Sequence, residues 1–274
     1  MKSVLDEINA FSRIYIRPRK DSEVLRFAEE NLVPIITPEV EQFLRVLLLG
    51  LRPKNILEIG TAIGYSALFM QNVSEAEITT IEIDEEMVGL AEHFINSQFI
   101  IHNSQLDYST DFTDTSPNGR NMTGSNTPGQ ALDTVPSSSS AASDGVLNPA
   151  VVYKNDSERA QSFFDPRIKI IHGDAGAVLP KLDGEFDFIF LDGSKSHYHE
   201  YLDDLIRLLA LGGVLVCDNA LCRGLVISPE YPEKKHRTTV RCLREFLEGL
   251  SNRDELETSI LPIGDGISVS VKLS

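Results

Sequence analysis

The stretch that most constrains the fold is Asn55-Ile56-Leu57-Glu58-Ile59, followed at once by Gly60-Thr61-Ala62-Ile63-Gly64. A short apolar run of this kind reads as a parallel strand buried on both faces. It stops at Gly60, and Tyr65 to Gln71 continues as a helix. Glycines at a strand-to-helix turn let the backbone approach a ligand closely and leave its N–H groups free to bind it. The spacing here is Gly-x-x-x-Gly with no following Lys-Ser/Thr, so the turn suits a nucleotide-like ligand rather than a polyphosphate. Alone it is also compatible with an ordinary tight turn, and its neighbours decide.

The same alternation extends along the chain. A helix capped by Asp21 or Ser22 is predicted to run to about Asn31, with Val24, Leu25, Phe27 and Ala28 facing inward. Thr37-Pro38 signals a second helix, carrying Val40, Phe43, Leu44, Leu47 and Leu48 and ending at Gly50. Further strands are predicted over 77–83, 167–172, 186–191 and 214–217, with helices over 85–97, about 175–182, about 199–211 and 237–250. The segments 256–261 and 267–273 flank Pro262-Ile263-Gly264-Asp265-Gly266 and read as an antiparallel hairpin. The expected fold is α/β: a Rossmann-like, doubly wound, mostly parallel seven-stranded sheet ending in that hairpin.

Between about 103 and 156 the periodicity fails. The stretch is rich in Ser, Thr, Asn, Asp, Gly and Pro and includes Pro136-Ser137-Ser138-Ser139-Ser140. It reads as a disordered insertion within one domain spanning 1–274, because the β/α alternation resumes after it. The chain lacks an apolar run able to span a bilayer, and its N-terminus has no signal-peptide core. Cys217, Cys222 and Cys242 show no metal spacing or disulfide framework, so a reducing cytoplasm is expected. A formal net charge of −16 repels polyanions at long range, although a local basic patch can still meet a specific RNA.

In such sheets ligands bind at the carboxyl ends of the strands. That rule gathers Gly60, Glu82, Asp174, Asp192, Asp218 and Asn219 along one edge. Glu82 suits two ribose hydroxyls, accepting from each. Asp174 suits either an adenine edge or the cap of the next helix. Asp192, Asp218 and Asn219 are oxygen donors fit for a hard divalent cation such as Mg2+, with positions left for substrate; a turn and a helix cap would also account for them. Lys195 follows Asp192 by three residues. Like charge from a metal and a cationic cofactor beside it would favour the neutral amine, which suits a general base.

With these pieces in view, the chain resembles the class I S-adenosylmethionine-dependent, metal-dependent O-methyltransferases, the family that includes catechol and caffeoyl-CoA O-methyltransferases. The matching segments are Leu57 to Ser66, Thr80-Ile81-Glu82-Ile83, Phe190-Leu191-Asp192-Gly193-Ser194-Lys195, Asp218-Asn219 and Gly264-Asp265-Gly266. The resemblance implies that Glu58, Gly60 and Ser66 hold the methionine end of S-adenosylmethionine. It implies that Glu82 holds the ribose, and that Asp174 and Ala175 face the adenine. Ile36 falls where N-terminal helices close over the cofactor. Asp192 counts on both the cofactor and the metal side, Asp218 and Asn219 complete the Mg2+ ligands, and Lys195 is the catalytic lysine. The aromatic that the family carries after the metal aspartate is absent, since Gly193 and Ser194 are small. A homodimer is common in the family.

Within it, Asn31 to Pro38, Asp218 to Gly224 and Leu261 to Gly266 resemble the bacterial branch that methylates 5-hydroxyuridine in tRNA. Arg223, Lys234, Lys235, His236, Arg237, Arg241 and Arg244 form a basic group that would meet phosphates. Arg13, Arg17, Arg19 and Lys20 form a second. Either can equally be solvated surface. The competing substrate is a small catechol or other phenol, and a third reading is a non-enzymatic cofactor-binding protein.

Overall fold

The computed structural model describes residues 4–107, 167–228 and 232–274. The chain divides into two units, residues 1–99 with 164–274, and residues 100–163. Of the second unit only the end of one helix is described; the sheet and all other described elements belong to the first.

Seven strands form one sheet in the order β3-β2-β1-β4-β5-β7-β6. They are β1 (Asn55–Ile59), β2 (Glu77–Glu82), β3 (Ile168–His172), β4 (Phe186–Leu191), β5 (Leu209–Cys217), β6 (Leu256–Leu261) and β7 (Ile267–Lys272). The first five pair in parallel, while β7 runs antiparallel to both β5 and β6. The expected doubly wound sheet with a C-terminal hairpin is what the chain forms.

Successive side chains leave a strand on opposite faces, and the core divides accordingly. Ile56, Ile78, Phe188, Phe190, Val214 and Val216 pack on one side with α2 (Glu23–Glu30), α3 (Pro38–Leu51), α4 (Tyr65–Ser74) and α5 (Glu85–Asp107). Leu57, Ile59, Ile81, Ile189, Leu191 and Leu215 pack on the other with α6 (Ala175–Val178), α7 (Tyr198–Leu208) and α8 (Arg237–Ser251). Both faces are covered, which is why the central strands are largely apolar.

Helix boundaries follow their caps. Ser22, not Asp21, caps α2, its hydroxyl accepting from Leu25 N at 3.3 Å; Asp21 instead pairs with Arg26 at 2.7 Å. Thr37 caps α3 with Pro38 at its first position. That helix passes Gly50 and ends at Arg52, whose φ is 52°. The residue before Pro53 is disfavoured in the helical region, so the proline rather than the glycine sets the end. Helix α1 (Val4–Ser12) is held by Asn9, which donates to Gly264 O at 2.6 Å and accepts from Gly264 N at 3.0 Å.

Two further boundaries differ from expectation. Helix α5 continues to Asp107, beyond the expected end near Ser97 and into the first residues assigned to the insertion; the rest of the insertion, from 108, lies outside the described residues. Helix α7 stops at Leu208, not Leu211, and Leu209 already pairs with Phe186. Gly212 and Gly213 therefore lie inside β5, where the register with β4 shifts between Phe186 and Phe188. A Cβ on Gly213 would stand 2.8 Å from Ala210 O, so the glycine serves an irregular strand rather than a helix stop.

Candidate active site

The strand order reverses between β1 and β4, and the crevice beyond their carboxyl ends is where such sheets take ligands. A cavity of about 660 Å3 opens there. Its walls include Gly60, Ser66, Glu82, Asp174, Ala175, Asp192, Lys195, Asp218 and Asn219, drawn from five strand ends and the helices that follow them. Of the residues expected at the site, only Glu58 and Ile36 are not among its lining.

Gly60 is the close-packed point. Its φ is 101°, and an added Cβ would lie 2.6 Å from Asp192 O. Asp192 N donates to Ile59 O at 2.9 Å, and Asp218 N to Leu191 O at 3.0 Å. These bonds extend the sheet's pairing past the strand ends and fix the acids beside the glycine turn.

Glu82 is tied into the same turn. Its Oε2 accepts from Ala62 N at 2.8 Å, and Oε1 accepts from Ile83 N at 2.9 Å and Asp84 N at 3.0 Å. Three backbone donors thus orient one carboxylate at the cavity wall. Asp174 caps α6, one of its two expected roles, with Oδ1 accepting from Ala177 N at 3.2 Å, and it also lines the cavity.

Glu58 lies two residues before Gly60 and is fully buried. Thr80 Oγ1 donates to its Oε2 at 2.5 Å, and Thr61 Oγ1 meets Thr80 Oγ1 at 2.6 Å. The Ser66 hydroxyl lies near enough to favour the charged form, but Oε1 is left without a hydrogen bond. Burial dominates and pushes the carboxyl up to about 7, with the charges of Asp192 and Glu82 adding to the rise. Ile36 is buried in the core beside α3, and its carbonyl accepts from Arg19. Its neighbours Ile35 and Thr37, with Val33, form the wall instead.

On the β4–β5 side, Lys195 Nζ donates to Asp192 Oδ1 at 3.0 Å. Burial raises the Asp192 carboxyl, and the Lys195 charge opposes that rise. Asp218 is 3% exposed; burial, and then the charge of Asp192, push it up to about 7. Its Oδ1 accepts from Asn219 N at 2.6 Å, and Asn219 takes the left-handed backbone at φ 57°. Asp265, between β6 and β7, accepts from Arg223 N and adds a third carboxylate near Asp218.

Sequence reading missed Met87, His197 and Tyr201, which also line the cavity. Tyr201 lies close enough to Asp174 for the acid's charge, after burial, to raise its phenol. It stacks on His197 with centroids 6.3 Å apart. The two are four residues apart, a spacing that puts them on one helix face, so the signal was present. They supply an aromatic wall although Gly193 and Ser194 do not. Several members of the basic groups are engaged by the chain itself. Arg244 donates to Val226 O at 3.0 Å and Ser228 O at 3.0 Å, and Arg237 to Pro232 O at 3.1 Å. Lys235 pairs with Glu233 at 3.4 Å, Arg13 with Glu39, and Arg19 with Glu41 at 2.9 Å. No helix among the described residues is long and apolar enough to cross a membrane.

The sheet order and the strand-end residues together define a ligand site of the Rossmann-like methyltransferase kind. The sequence profile described as O-methyltransferase matches residues 23–111 and 143–273, and the chain belongs to that family. Caffeoyl-CoA O-methyltransferase 1 of Arabidopsis thaliana is 37% identical over an alignment of 112 residues that covers 36% of this chain and 42% of that protein. The matched stretch thus spans less than half the length of that curated relative. In fold, the SAH-bound methyltransferase PaMTH1 of Podospora anserina superposes with a TM-score of 0.63 at 21% identity, covering 98% of this chain and 95% of that one. The O-methyltransferase of Bacillus cereus in complex with SAH gives 0.61 at 20% identity, covering 97% of each.

Proposed function

We propose that this chain transfers a methyl group from S-adenosylmethionine to a hydroxyl that stands next to a second oxygen, with the help of a divalent cation of the Mg2+ type. The observation that carries the reading is the Lys195–Asp192 pair at the end of β4, facing the glycine turn across the point where strand order reverses. When bound, S-adenosylmethionine supplies an electrophilic methyl and the cation a Lewis acid that eases ionisation of a hydroxyl.

The residues fit both groups. Gly60 gives the close backbone approach, Glu82 is oriented for ribose hydroxyls, and Asp174 with Ala175 lies on the adenine side beside Tyr201. Glu58 Oε1, buried beside Ser66 and without a partner, suits an ammonium such as that of the methionine end. Ile36 acts through the backbone it packs, with Ile35 and Thr37 facing the ligand. Asp192, Asp218 and Asn219 offer the oxygen donors a hard cation takes. Two buried acids, of which Asp192 raises the proton affinity of Asp218, create the demand for positive charge.

Lys195 Nζ takes the proton of the acceptor hydroxyl, and Asp192 Oδ1 holds the amine in place for it. The glycine turn and the Asp192 backbone, packed against each other, fix donor and acceptor sides in one frame. Positioning of this sort supplies roughly 7–11 kcal/mol in favourable cases.

Two acceptors meet the requirement for adjacent oxygens: a small catechol-like phenol and 5-hydroxyuridine in tRNA. The phenol is favoured. Arg244, Arg237, Arg13 and Arg19, which would be among the residues meeting tRNA phosphates, are engaged by the chain's own carbonyls and acids, and the net charge is −16. Caffeoyl-CoA O-methyltransferases among the relatives point the same way. Labelled S-adenosylmethionine with Mg2+ is offered a catechol and 5-hydroxyuridine-containing tRNA in parallel, with and without chelator. Transfer to the catechol that chelator and Asp192→Ala both abolish is the expected result. Preference for the tRNA overturns the phenol. Activity indifferent to both chelator and Asp192→Ala overturns the metal, and cofactor binding without transfer to any vicinal-oxygen acceptor leaves a binding protein.

A further inference from the structure

Away from the cavity, α7 and α8 bring together three side chains of different kinds. A ring nitrogen of His199, Sγ of Cys242 and a carboxylate oxygen of Glu245 all lie within 4.8 Å of one another. Cys242 and Glu245 are three apart on α8, hence on one face. His199 is the second residue of α7. Cys242 is 3% exposed, while His199 and Glu245 reach the surface, so the cluster is open on one side.

The cluster is not satisfied by ordinary contacts. His199 Nδ1 is buried and has no hydrogen-bond partner. Its Nε2 is 3.9 Å from Glu245 Oε2 and 3.9 Å from Glu200 Oε1, too far for a hydrogen bond. Arg241 approaches Glu245 only at 4.0 Å. A buried donor or acceptor left unpaired costs free energy, and two nearby carboxylates favour a cation.

We infer that His199, Cys242 and Glu245 form a second metal site, for a borderline-soft divalent ion such as Zn2+. One sulfur, one imidazole and one carboxylate, with a fourth position open to water, is a donor set such ions accept in tetrahedral geometry. It differs in kind from the all-oxygen set of Asp192, Asp218 and Asn219, which favours a harder cation. Binding releases the thiol proton of Cys242 to solvent as the sulfur–metal bond forms. It also pins the first turn of α7 to α8, and α7 begins three residues after Lys195.

The test is spectroscopic and independent of transferase activity. The full chain, kept reduced, is titrated with Co2+ and then Zn2+. The expected result is a thiolate-to-cobalt charge-transfer band that Zn2+ displaces. The band is retained in Cys222→Ser, lost in Cys242→Ser and weakened or lost in His199→Gln. Oxygen ligation at Asp192 and Asp218 gives no such band, so the two sites are told apart. His199 is half-exposed, so His199→Gln decides the matter even if Cys242→Ser fails to fold. No band in the wild-type chain, or one that survives Cys242→Ser or is unchanged in His199→Gln, overturns the site.

Discussion

Glu82 and Asp218 are both acids at the carboxyl ends of strands in one sheet, yet their surroundings are opposite. Glu82 accepts three backbone N–H groups and is a finished recognition element. Asp218 is almost fully buried, receives one backbone N–H, and faces the negative charge of Asp192. The β1–β3 half of the crevice is complete as the chain folds. The β4–β5 half gathers the carboxyls of Asp192, Asp218 and Asp265 about the single amine of Lys195. One edge thus carries a rigid receptor beside an electrostatic demand, and that division suits a reaction in which one partner is merely held while the other is activated.

The sharpest way to break this contrast is at Lys195. Lys195→Ala is expected to lower the turnover by about 10²–10⁴-fold, while cofactor affinity measured by calorimetry stays close to that of the wild type. A parallel loss of affinity would mean that the two halves are not separable.

Glu58 sits at the border between them. Its folded value of about 7 lies above its ordinary 4.5, so between those values the native state holds a proton the unfolded chain has released. Stability therefore falls as pH rises through that window. Glu58→Gln should remove on the order of 3 kcal/mol of the fall, read as the difference in urea midpoints between the two proteins from about pH 5 to about pH 7.5. Asp192 and Asp218 add slope of the same sign in both proteins, and the difference removes all of it but the part that Asp192 shares with Glu58 through their charge interaction. Identical profiles would show that Glu58 is not the strained group.

Gly60→Ala attacks the seam. The positive φ and the approach to Asp192 O predict a loss of about 1–3 kcal/mol in stability, with cofactor binding lost alongside; a normal melting temperature with normal binding would show that the turn yields. Smallest is Tyr201→Ala on the finished side, expected to weaken cofactor binding by about 0.5–1.5 kcal/mol if its ring stacks on the ligand, with turnover at saturation unchanged. An effect on turnover alone would move Tyr201 to the acceptor side.

Much of this was legible in the sequence because strand ends announce themselves: an apolar run closed by Gly60, Glu82, Asp192 or Asp218 marks both an element and an edge. What escaped depends on partners rather than on local pattern. Gly212-Gly213 looks like a helix stop, and only pairing with Phe186 makes it a strand irregularity. Gly50 looks like a cap, yet Pro53 sets the boundary. In the extended segment before Thr37, no periodicity tells which of Ile35 and Ile36 turns inward. The fate of Arg244 was equally hidden, since its acceptors are carbonyls of a loop sixteen to nineteen residues earlier.

The order of the sheet has a consequence for how the protein is made. β7, the last of these strands to be synthesised, lies between β5 and β6 and pairs with both. Until it arrives β5 is an open edge, a template for pairing with other chains. A nascent chain lacking its closing strand therefore exposes the element that carries Asp218. Ribosomal stalling or truncation before Ile267 would then yield a sticky product that cellular quality control can recognise, rather than a well-folded enzyme with half a site.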